Sequence, residues 1–195
     1  MNDDEELRRE CVGRLDEIAD LIPAPWSIDE FLENLAERRQ RRIILKSFRP
    51  DPDAPCGIYM ATDDADHLVY PKTYPYHRDH VLGHEIAHMI MDSDQADASH
   101  PGARKPAGAG STVDPAYARL LFPDVPPHLI KALLGRHGYS TRRERRAELF
   151  AELLLQRVRD RQAAAAARTL TAAQQEIAAR LSRALEHPHG RNMHG

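Results

Sequence analysis

Apolar residues recur at helical spacing from the start of the chain. Leu7, Val12, Leu15, Ile18 and Leu21 mark one face of an amphipathic helix over residues 4–21, which ends at "IPAPW". Ser27 stands three before Glu30, a capping-box spacing that starts a second helix carrying Phe31, Leu32 and Leu35 and running into "ERRQRR". Three short β-prone stretches follow, "IILKSF", "CGIYMAT" and "DHLVY", separated by the turn-forming "RPDPDAP" and "DDAD". They predict a small antiparallel sheet of about three strands. In "YHRDHVLGHEIAHMIMDSD", residues 76–94, Leu82, Ile86, Met89 and Ile90 fall at i, i+4, i+7 and i+8, the stripe of a helix packed on that sheet.

The pattern then lapses. Residues 93–112 are rich in Ala, Gly, Pro, Ser and Asp without periodicity and predict a mobile insertion, with His100 solvated. Two short helical pieces are expected around "DPAYARLLF" and "VPPHLIKALLGRHG", the second opened by prolines and closed by glycines. A long helix starts near Thr141, with Leu149, Phe150, Leu153 and Leu154 as a core face, and continues through the alanine tract Ala163 to Ala167. Thr171 and Gln174 form another capping box, starting a last helix with Ile177, Leu181 and Leu185 on one face. The tail "HPHGRNMHG" is expected to fray, and its His187, His189 and His194 to bind metal weakly at most. The fold class is α+β, with one domain over residues 1–160 and a helical extension with its tail over 161–195.

Composition narrows the class. A chain of 195 residues can bury a real core. Of the 42% apolar residues alanine supplies a large part, aromatics are 6%, and charged residues reach 29%, so that core is lean. A net charge of −3 gives no overall attraction to nucleic acid or anionic lipid, and direct nucleic-acid binding is not expected. The basic run Arg38 to Arg42 reads first as a helix C-terminus, where cations favour the dipole, and only second as a nucleic-acid contact. The acidic start "MNDDEELRRECVGRL" lacks the apolar stretch of a signal peptide, and no apolar run has membrane-spanning length. A cytoplasmic location without membrane association is expected. Cys11 and Cys56, far apart and outside any Cys-x-x-Cys spacing, read as ordinary reduced thiols.

The chemistry concentrates in HEIAH. His84 and His88, four apart on a helix, project from one face and can present imidazole nitrogens to a single ion. Glu85, beside the first histidine and directed toward the open side, can take a proton from water and pass it to a leaving amine. With eleven histidines in the chain a chance match has weight, but the amphipathic helix following a strand pair favours a zinc site. Three residues compete as third ligand. Asp94 lies where the metzincin pattern HExxHxxGxxH places its last ligand, but Met91 occupies the position of the glycine that turns the backbone there. Glu144 and Glu148 on the later helix fit the gluzincin layout better, though Thr141 also makes Glu144 a capping-box glutamate. Spacing alone leaves the choice open, and likewise does not select an oxyanion stabiliser among Tyr76, His137 and Tyr139.

Beyond HEIAH, "RRERRAELFAELLL" resembles the second signature of the ImmA/IrrE family of zinc metallopeptidases, matching it at Glu144, Ala147, Phe150, Ala151, Leu153 and Leu154. The lead-in "HRDHVLGHE" is similar to that family's approach to its own HExxH, with Leu82 directly comparable. The resemblance covers about residues 25–155. It implies a zincin-like fold, zinc held by His84, His88 and Glu144, and Glu85 as general base. It also implies a protein substrate or partner, a DNA-binding repressor or other helix-turn-helix regulator. The long spacing between motifs is similar to an actinobacterial subgroup described as regulators or toxin–antitoxin components, which keeps a non-proteolytic regulatory role as the alternative. The chain departs from the pattern at Glu148, where the family has asparagine, and at Gln156 and Arg157, where it has Met-Pro.

Overall fold

A computed structural model describes residues 3–50, 56–91, 141–169 and 171–186. The insertion expected at 93–112, both short helical pieces after it and the histidine-bearing tail lie outside the described residues, as do Asp94, His100, His137 and Tyr139.

Helix α1, Asp3–Glu17, buries Leu7, Cys11 and Leu15, and a 3-10 turn at Ala19–Leu21 follows. Cys11 rather than Val12 completes the inward face, because its i+4 steps from Leu7 and to Leu15 hold one line along the helix. Burial pushes the Cys11 thiol up to about 11, so it packs as a small apolar group. Helix α2, Ile28–Arg39, starts as expected: Ser27 Oγ accepts the Glu30 N–H at 3.3 Å. It ends with Gln40 in the left-handed region (φ 49°).

Strands β1 (Arg42–Phe48), β2 (Ile58–Ala61) and β3 (Ala65–Pro71) occupy the three β-prone stretches. Their arrangement corrects the expectation of an antiparallel sheet. The order is β1-β3-β2, with β3 antiparallel to β2 but parallel to β1, so the sheet is mixed. The tight turn at residues 62–64 folds β3 back against β2 and into the slot beside β1. The buried β3, with Leu68 and Val69 fully enclosed, takes the centre, while the half-exposed β1 takes one edge.

Helix α3, Pro75–Met91, packs on β2 and β3 through the expected stripe, and Leu82, Ile86, Met89 and Ile90 are all buried. Helix α4, Thr141–Thr169, buries Ala147, Phe150, Ala151 and Leu154 against the same core. Gly83 of α3 faces Ala151 of α4, and a Cβ at residue 83 would lie 3.3 Å from the Ala151 Cβ and 3.4 Å from its Cα. Two small side chains thus let the helices bearing the histidines and the glutamates come close.

The acidic start of α1 and the "RRERR" stretch are complementary. Arg142 reaches Asp3 at 3.2 Å, Arg145 pairs with Asp4, and Arg146 reaches Glu10 at 2.7 Å. Each exposed pair contributes about 0–1 kcal/mol, but together they fix the first turns of α4, where Glu144 sits. The basic run that closes α2 and continues past it is likewise occupied within the chain. Arg38 pairs with Asp20, Arg39 and Arg41 with Asp66, and Arg42 with Asp64.

The chain divides into two units, Met1–Val158 and Arg159–Gly195. The second comprises the end of α4 and helix α5, Ala172–Glu186, opened by the expected reciprocal cap. Thr171 N–H donates to Gln174 Oε1 at 2.9 Å and Gln174 N–H to Thr171 Oγ1 at 3.4 Å. Ile177 and Leu181 on α5 are exposed. Among the described residues no helix is long and apolar enough to cross a membrane.

Candidate metal centre

One turn apart on α3, His84 and His88 face Glu144 from the first turn of α4. Their Nε2 atoms are 3.2 Å from each other. Glu144 sets Oε2 3.4 Å from His84 Nε2 and Oε1 3.6 Å from His88 Nε2. An ion bound tetrahedrally at about 2.0–2.1 Å holds its ligand atoms about 3.3 Å apart. The two imidazole nitrogens stand near that spacing, and with one oxygen of Glu144 the three ligand atoms all lie within 4.8 Å of one another, close enough to converge on one ion. Together His84, His88 and Glu144 form a group that could hold a metal ion, the one such group found among the described residues. Glu144 Oε1 is buried without a hydrogen-bond partner there, which leaves a lone pair to offer.

Glu148, one turn beyond Glu144, serves the other side of the same imidazole. Its Oε2 lies 3.3 Å from His84 Nδ1, and its Oε1 lies 2.9 Å from His80 Nε2. A carboxylate accepting from Nδ1 holds His84 in the tautomer that leaves Nε2 for a metal. The structure thereby separates the two glutamates by the nitrogen each meets: Glu144 shares the Nε2 side with both histidines, and Glu148 orients. Thr141 already lies in the helix, and the Glu144 carboxylate is directed to the histidines. Replacing Glu148 with alanine is expected to weaken transition-metal affinity about 10–100-fold, read by chelator competition; unchanged affinity would remove its orienting role.

Glu85 occupies a different environment from the open one expected of it. It is 3% exposed, set against β2, where the Tyr59 backbone N–H donates to its carboxylate. Burial pushes its pKa up, opposed by the charges of His88 and His84. Burial also works against ionisation of Glu144, but the contacts with His84 and His88 prevail and hold its carboxyl far below the usual range. His84 is raised for the matching reason: the hydrogen bond to Glu144 and the nearby Glu85 charge outweigh desolvation. A metal ion entering this group therefore displaces protons, and its uptake weakens as pH falls.

The sequence reading did not single out three contributors: His80, Gly57 and the Tyr59 amide. His80 was legible in principle, since His80, His84 and His88 repeat at i+4 along one helix face. Gly57 abuts Glu85 across the sheet edge, a tertiary contact with no sequence periodicity. Of the oxyanion candidates only Tyr76 is described, and it is exposed in the first turn of α3. No protein-family model, curated protein or solved structure matches the chain.

Proposed function

We propose that this chain is a zinc-dependent metallo-endopeptidase of restricted specificity, zincin-like in fold. In this reading His84, His88 and Glu144 are the zinc ligands and Glu85 is the general base. The observation that carries it is the convergence of two imidazoles and a carboxylate within reach of one ion, with a buried carboxylate next to the first imidazole in sequence. Two nitrogens and one oxygen suit zinc, and a set of three protein ligands keeps a position open for chemistry. Zinc bound there would supply a Lewis acid that polarises a peptide carbonyl and acidifies water.

The chain's own residues supply the rest. Glu85, with Oε2 lacking a hydrogen-bond partner among the described residues, has a free acceptor for a proton from the attacking water and can return it to the leaving amine. The resemblance of the two motifs to the ImmA/IrrE family supports a DNA-binding repressor or regulator as the substrate. The exposed Ile177 and Leu181 on α5 favour a second reading, a regulatory protein that binds such a partner without cutting it. Binding without cleavage, unchanged by Glu85→Gln, would select it.

Elemental analysis of tag-free protein purified without added metal tests the centre. Near-stoichiometric zinc is expected in the wild type and its loss in both His88→Ala and Glu144→Ala. Zinc retained in Glu144→Ala would move the third ligand elsewhere, and a zinc-free wild type would overturn the proposal.

A further inference from the structure

We infer that strand β2 is the seat of the general base: Gly57 makes room for the Glu85 carboxylate, the Tyr59 amide holds it, and both act as positioning residues. This rests on the assignment of Glu85 as the base.

A Cβ built on Gly57 would lie 2.5 Å from Glu85 Oε1, 3.0 Å from Glu85 Cγ and 2.8 Å from Val81 Cγ1. The two shorter distances are ones that real Cβ atoms essentially never show, so any side chain at residue 57 displaces something. Gly57 directly precedes β2, whose residues Ile58 to Ala61 are paired with β3 and buried, so the backbone beside it is poorly placed to yield. The end of Glu85 is the most movable neighbour, yet it too is enclosed, and Tyr59 N–H fixes its carboxylate. Tyr59 is anchored in turn, its hydroxyl donating to the buried Asp66 at 3.2 Å. One residue therefore ties the base to the interior of the sheet, and the missing side chain of Gly57 sets how near the carboxylate comes to the strand. Moving a catalytic group by about 1 Å can cost about 100-fold in rate, whereas the three atoms nearest a Cβ on Gly57 belong to Glu85 and Val81 and not to a zinc ligand.

The competing explanation is that Gly57 only lets Val81 pack. Four proteins separate the two: Gly57→Ala alone, Gly57→Ala combined with Glu85→Asp, Gly57→Ala combined with Val81→Ala, and Glu85→Asp alone. For each, the thermal midpoint, the zinc affinity by chelator competition and the cleavage of fluorescein-labelled casein are measured against wild type. Gly57→Ala is expected to lower the midpoint by about 3–8 °C and cleavage by at least about tenfold, with zinc affinity held within about twofold. Glu85→Asp, one methylene shorter, is expected to raise the midpoint in the Gly57→Ala background and lower it in the wild-type background. An equal effect in both backgrounds, or restoration by Val81→Ala only, would overturn the seat. A wild type with neither zinc nor cleavage would overturn the catalytic reading, while the midpoints would still decide whether Gly57 and Glu85 are coupled.

Discussion

Glu85→Gln is expected to keep its zinc and lose about 10²–10⁴-fold in peptide cleavage. The substitution preserves shape and leaves an amide oxygen to accept the Tyr59 N–H, so the backbone of β2 and the packing of α3 have no reason to move. It removes the one property the mechanism needs, a carboxylate able to take a proton and release it. His84, His88 and Glu144 are untouched, so metal content measured in parallel separates a dead base from a lost site. The pH dependence of metal-free stability gives a second signature. Because burial raises the Glu85 pKa above its ordinary value, its contribution is present at acid pH and is lost as pH rises through the raised value. Glutamine does not titrate, so as pH rises above the ordinary glutamate range stability should fall less in the variant than in the wild type. Cleavage surviving in Glu85→Gln would end the assignment of Glu85 as base.

The local features of this chain were legible because they depend on neighbours in sequence. Helical periodicity placed the five helices of the described residues, β-prone composition between turn signals placed the three strands, and Ser27 and Thr171 marked helix starts that their side-chain hydrogen bonds bear out. The histidine pair was visible for the same reason. Strand order was not, since hairpin reasoning joins consecutive strands, whereas β3 pairs with both β1 and β2 and separates them. Spacing left the choice between Glu144 and Glu148 open, and only the resemblance of the second motif pointed to Glu144. The two lie one turn apart on the same helix face, and only the docking of α4 on α3 decides which imidazole nitrogen each meets. The basic run that closes α2 and continues past it also needed the fold, because its main acceptor, Asp66, is a charge turned inward from a strand that alternation alone would not mark.

Asp66→Ala is expected to destabilise the metal-free protein by about 3–5 kcal/mol, the cost of removing one member of a buried ion cluster. Asp66 is 1% exposed, with Arg41 Nε 3.0 Å away, Arg39 Nη2 3.2 Å away and the Tyr59 hydroxyl donating at 3.2 Å. Arg41 is held in the same place by the backbone carbonyls of Thr62, Asp63 and Ala65, so its charge cannot swing out to water when the carboxylate is gone. The cluster joins the end of α2, the turn between β2 and β3, and the centre of the sheet. At about 2–4 °C per kcal/mol for a chain of this size, the thermal midpoint should fall by roughly 6–20 °C. Asp66→Asn, which keeps hydrogen-bond acceptance but not charge, should fall between. The loss should exceed that from removing an exposed pair such as Arg38 with Asp20, worth about 0–1 kcal/mol. Urea unfolding of the three variants measures the order directly, and equal small losses would mean that water reaches Asp66 and screens the cluster. Since Tyr59 connects Asp66 to Glu85, Asp66→Ala should also loosen the carboxylate on β2, so cleavage should fall further than the folded fraction does, with zinc retained.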